Sequence, residues 1–118
     1  MDMPIIVNDN GDISFFANIK DAELYLEPDD VKQNAYEIFN KNGDLLTPII
    51  LRNSKKFLFG TFVKESIQIM PYIPNINNKE YLLELLFKFC DNAKIEVPKG
   101  INLNNLVDRL IKEIGFTK

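Results

Sequence analysis

The sequence predicts an α+β fold: a mainly antiparallel sheet with a short N-terminal helix and two C-terminal helices packed on one face. Three observations predict it. Two Asn-Gly dipeptides, at 10–11 and 42–43, each stand between short apolar runs, which is the pattern of tight hairpins. At Lys79 the spacing of apolar residues changes from that of strands to that of helices. The 118 residues suffice for one hydrophobic core and not comfortably for two, so 1–118 is expected to be a single domain.

Taken in order, Pro4 to Asn8 is an apolar run that ends in Asn8-Asp9-Asn10-Gly11-Asp12, and Ile13-Ser14-Phe15-Phe16 resumes the extended pattern. Asn-Gly accepts the positive φ of a tight turn, so a first hairpin follows. Asn18 offers an N-cap with Asp21 three residues on, and Ile19 to Leu26 is expected to form a short helix that stops before Pro28. Glu27-Pro28-Asp29-Asp30-Val31 reads as a polar, turn-rich connection. Tyr36 to Phe39 and Leu45 to Leu51 flank the second Asn-Gly turn and should pair. Phe57 to Val63 and Ser66 to Met70 are expected as two further antiparallel strands, with the turn at Lys64-Glu65.

In the C-terminal third, Glu80, Glu84, Lys88 and Asp91 form one narrow polar stripe. Apolar residues from Tyr81 to Cys90 cover the rest, so this helix should be buried on most of its circumference. After a break at Pro98, Leu103, Leu106, Val107, Leu110, Ile111 and Ile114 trace the apolar face of a half-exposed helix ending at Gly115.

Composition narrows the function. The chain has no histidine and a single cysteine, Cys90. Histidine bases, Ser/His and Cys/His nucleophilic pairs and most zinc sites are thereby excluded, so no enzyme, metal or cofactor is expected. Cys90 lies among leucines and phenylalanines and reads as a reduced, buried thiol. No apolar run approaches the roughly 18 residues that span a bilayer. The N-terminus lacks the basic and apolar regions of a secretory signal. A cytoplasmic chain with no membrane partner is expected.

The net charge of −3 is unevenly spread. Residues 1–50 hold ten acids and three bases, net −7, while 51–118 hold seven acids and eleven bases, net +4. An acidic half steers basic partners and repels nucleic acid, so direct DNA or RNA binding is not expected. The cluster Asp21, Glu23, Glu27, Asp29 and Asp30 reads as a solvated or partner-binding face rather than a cation site, because Asp21 and Glu23 diverge on a helix and Pro28 redirects the chain. Neither Asn-Gly loop has the spacing or closing glutamate of a calcium loop. Lys55-Lys56 beside Phe57 and Phe59 has the flavour of a nucleic-acid face, but ordinary solvation is the simpler reading.

Asn10-Gly11-Asp12-Ile13-Ser14-Phe15-Phe16, then Asp21-Ala22-Glu23-Leu24-Tyr25-Leu26-Glu27-Pro28-Asp29-Asp30-Val31, then Tyr36-Glu37-Ile38-Phe39-Asn40 with Gly43, carry a family resemblance. This stretch resembles small bacterial immunity proteins of polymorphic and contact-dependent growth-inhibition toxin systems, over roughly the first 45 residues. The resemblance implies a cytoplasmic inhibitor that binds the C-terminal domain of a cognate toxin and blocks its active site or substrate access, many such toxins being nucleases. Asp21, Glu23, Glu27, Asp29, Asp30 and Glu37 are then the candidate contacts to a basic partner. Two alternatives are an acidic regulatory or DNA-mimic protein and a small hydrolase using paired carboxylates.

Overall fold

A computed structural model describes residues 2–117 of the chain. Its elements are β1 (Ile5–Asp9), β2 (Asp12–Phe16), α1 (Ile19–Tyr25), α2 (Pro28–Lys32), β3 (Tyr36–Phe39), β4 (Leu45–Phe57), β5 (Gly60–Pro71), α3 (Lys79–Ala93) and α4 (Leu103–Ile114). The strands form one antiparallel sheet in the order β2-β1-β3-β4-β5. The fold is α+β, as the hairpin signals and the late helical period require.

The central strands are apolar on both faces, and the register sorts their side chains into two clusters. Ile6 lies opposite both Phe15 and Phe39, and these join Ile13 in packing beneath α3 and α4. Ile5, Val7, Phe16 and Ile38 point the other way, where Leu46, Ile67 and Ile69 meet Ala22 and Leu26 of the α1 segment. The two C-terminal helices thus share one face, while α1 covers the other. The reason is legible in Ile5-Ile6-Val7 and Phe15-Phe16: adjacent apolar residues on a strand point to opposite faces, and each face needs a cover.

Local chemistry sets the ends of these elements. Asn18 Oδ1 accepts from the Asp21 N–H at 2.8 Å, the expected cap of α1. Pro28 begins α2, where its missing N–H has no helical partner to lose. A short helix therefore replaces the loop expected over 27–31. In α3 the fully buried residues are Leu82, Leu86 and Cys90, one stripe at helical spacing, with Leu83, Leu85, Phe87 and Phe89 only half-buried on its flanks. The helix is less enclosed than expected because α4 packs on one side of it alone. Beyond α4 the Thr117 N–H donates to the Phe15 carbonyl at 2.8 Å and covers part of the outer edge of β2.

The largest departure concerns β4 and β5. They form one hairpin of 13 and 12 residues whose turn is Leu58-Phe59, not Lys64-Glu65. Lys64 and Glu65 sit inside β5 opposite Asn53 and Arg52, and Glu65 is held by ion pairs to Arg52 at 3.0 Å and to Lys32 at 2.9 Å. From Leu51 to Lys64 every described side chain is exposed. This part of the hairpin is an arm standing clear of the body, and the molecule measures 62 × 30 × 22 Å.

Candidate partner-binding surface

The six acidic residues singled out from the sequence do not form one surface. Asp21, Glu23, Glu27, Asp29 and Asp30 belong to the α1–α2 layer. Glu37 shares its sheet face with Phe39 and lies beneath α3, on the other side of the molecule.

Within the α1–α2 layer the acids have different duties. Glu23 Oε2 accepts from the Ile69 N–H at 2.6 Å, tying α1 to the edge strand β5 and blunting that edge. Asp30 Oδ2 accepts from the Tyr36 hydroxyl at 3.2 Å, and the same hydroxyl oxygen lies 3.5 Å from the Glu27 N–H that donates to it, so Tyr36 fastens α2 to β3. Burial, with the Asp30 carboxylate beside it, pushes the Tyr36 phenol up. Asp21 accepts from its own cap, Asn18 Nδ2, at 3.1 Å. Glu27 and Asp29 stand exposed, Asp29 lying 4.0 Å from Lys32.

Glu37 is committed elsewhere. Its Oε1 accepts from Asn8 Nδ2 at 2.8 Å, and the Tyr81 hydroxyl donates to the carboxylate at 2.7 Å to one oxygen and 2.9 Å to the other. That hydrogen bond, together with burial, raises the Tyr81 pKa. Glu37 and Tyr81 line a cleft of about 590 Å³ between the first hairpin and α3, with Asn34, Lys88 and Asn92 also on its walls.

Two features were not singled out from the sequence. Leu24 on α1 is 77% exposed, although it lies between Asp21 and Glu27 in sequence. With Glu27 and Glu23 it lines a groove of about 440 Å³ between α1 and β5. Helical spacing could have found it, since Ala22 and Leu26 take the buried positions and leave Leu24 on the opposite side. The second feature is the arm. Five of the fifteen exposed large apolar residues among those described, Leu51, Leu58, Phe59, Phe62 and Val63, stand on it. The side chain of Phe57, part of the Lys55-Lys56 aromatic reading, lies outside the described residues.

Other chemistry is limited. The carboxylates whose pKa departs from the ordinary value, Asp44 and Glu65, are both lowered, Asp44 by Asn77 and Asn40 donors and Glu65 by Lys32 and then Arg52. Burial pushes the Cys90 thiol up despite the charge of Arg109. Among the described residues no group of three histidines, cysteines or carboxylates converges on a metal site, and no helix is long and apolar enough to cross a membrane. Comparisons of the chain with protein-family models, with curated proteins and with solved structures find no match.

Proposed function

We propose that this chain is an immunity protein: a cytoplasmic inhibitor that binds a basic toxin domain, of the nuclease kind, through its α1–α2 layer and blocks the active site or the approach of substrate. The observation that carries the reading is Leu24, a leucine left in solvent on α1 with Asp21 one turn before it and Glu27 beside it on the same groove. An exposed apolar anchor on a groove where Glu23, Glu27 and Glu65 outnumber Lys20 and Lys64 suits a partner whose own surface is cationic around an apolar depression. The anchor supplies the slow dissociation and the acids the fast, oriented approach. Glu27 and Asp29 are the contacts favoured among the six candidates, since both are exposed and, unlike Asp21, neither carboxylate accepts a hydrogen bond among the described residues. Glu23, Asp30 and Glu37 act mainly by holding the layers in place.

The test is binding to the C-terminal domain of the protein encoded immediately upstream of this chain, with the double variant Glu27→Lys, Asp29→Lys. Association should slow by about tenfold or more at low salt, and the difference should shrink as salt rises. Leu24→Ser should instead speed dissociation by about tenfold. Unchanged association together with unchanged protection of cells would refute the acidic-layer mechanism.

A further inference from the structure

The β4–β5 turn places two large apolar residues where turn chemistry asks for small or polar ones. Leu58 and Phe59 are 91% and 96% exposed. Elsewhere the chain builds its hairpins with Asn-Gly. Among the described residues neither Leu58 nor Phe59 joins a cluster with the body.

Their surroundings are the same on every side. In the hairpin register Lys55 faces Phe62 and Asn53 faces Lys64 on one side of the ribbon, while Lys56 faces Thr61 and Ser54 faces Val63 on the other. Phe62 and Val63 are both more than half exposed, one per side. Each side thus carries an apolar residue near the tip and at least one lysine, and Asn53 to Lys64 contains no acid. A ribbon that lays one face on a protein buries that face and leaves the other wet. A tip with lysines around it and apolar residues on both sides suits immersion in a medium that surrounds it.

We infer that the arm is a peripheral membrane anchor: Leu58 and Phe59 enter the headgroup region of an anionic bilayer while Lys55 and Lys56 lie against the lipid phosphates. The expectation of no membrane partner rested on the lack of a spanning segment, which an interfacial anchor does not need. The long stems of the lysines let their ammonium groups stay at headgroup level as the tip enters. Lys55 and Lys56 stand three and four residues beyond Arg52 and Glu65 at the base of the arm, roughly 10 to 13 Å. That is more than one Debye length at physiological salt, so the acidic body weakens but does not cancel the attraction of the tip. The inference is independent of the inhibitor reading, because it uses neither α1 nor α2.

The test is sedimentation of the full chain with vesicles of equimolar phosphatidylglycerol and phosphatidylcholine, and with phosphatidylcholine alone. The chain has no tryptophan, so Phe59→Trp puts the sole indole at the tip. Binding to the anionic vesicles is expected, with a blue shift of that emission. Leu58→Ser with Phe59→Ser, and separately Lys55→Glu with Lys56→Glu, should each weaken binding by about tenfold or more. All four side chains are solvent-exposed, so far-ultraviolet circular dichroism should confirm that both variants fold. Failure to sediment with anionic vesicles overturns the inference, as does equal binding to phosphatidylcholine alone. It is also overturned if the chain is a dimer without lipid and the Leu58→Ser, Phe59→Ser variant is a monomer, for a second copy then covers the tip.

Discussion

Asn8 and Asn40 are the two buried polar residues among those described, and each organises a turn. They open the same pattern, Asn-x-Asn-Gly-Asp, at 8–12 and at 40–44. Asn8 Oδ1 accepts from the Gly11 N–H at 2.8 Å, while Asn40 Oδ1 accepts from the N–H groups of Asn42 at 2.9 Å and Asp44 at 3.0 Å. A buried side-chain amide therefore supplies the partners that a turn leaves unsatisfied. The glycines of the two turns differ in their surroundings. Both adopt positive φ, +97° at Gly11 and +86° at Gly43. A Cβ at Gly11 would meet open space, whereas one at Gly43 would lie 2.6 Å from the Lys79 Cα, at the start of α3. Gly11→Ala should cost only the strain of the left-handed backbone, about 1 kcal/mol. Gly43→Ala should cost about 3 kcal/mol, because α3 must also shift. Urea denaturation of the pair checks this, and equal losses would show that α3 gives way freely.

The arm is the element whose role in folding is smallest. Its described side chains from Leu51 outward are exposed, and the clusters of buried residues stop at Leu46 on β4 and begin again at Ile67 on β5. Asn53 and Lys64 face each other four residues back from Phe57 and Gly60, in the same phase of the register. A two-residue Asn-Gly turn in place of 54–63 therefore closes a shorter hairpin. The shortened chain should unfold cooperatively, with stability within about 1 kcal/mol of the original. A larger loss would mean that the arm supports the body. The same element shows where sequence reasoning stops. Asn18, the Asn-Gly turns and the face of α4 are legible because each follows from a local rule: a cap, a positive φ or a helical period. The Leu58-Phe59 turn breaks the local rule, and Lys64-Glu65 imitates it, since an exposed strand of an unsupported ribbon is as polar as a turn. The α1–α2 layer shows the same limit at the candidate surface. The acids were legible as a cluster, but which of them serve Ile69, Tyr36 and Tyr81 depends on sheet order, which no local pattern carries.

At the scale of the whole molecule, shape and charge are separated along one axis. A compact chain of this length has a radius of gyration near 13.5 Å. The Cα value here is 16.3 Å, and the excess comes from the arm. Asn53–Lys64 carries +3, which leaves −6 on the rest of a chain whose total is −3. Folding the arm back onto the acidic layer would gain Coulomb attraction, but it would bend a ribbon whose base is held by Glu65 between Lys32 and Arg52. Exposed ion pairs between flexible lysines and carboxylates are worth little, on the order of 0 to 1 kcal/mol each, so the extended form is retained. Small-angle scattering of the monomer should therefore give a radius of gyration near 16 Å before hydration is counted, and replacing 54–63 with the short turn should lower it by about 2 Å. A value near 13.5 Å for the intact chain would mean that the arm lies on the body. The acids of α1–α2 would then already be neutralised from within, and the chain could not offer a basic partner the surface proposed for it.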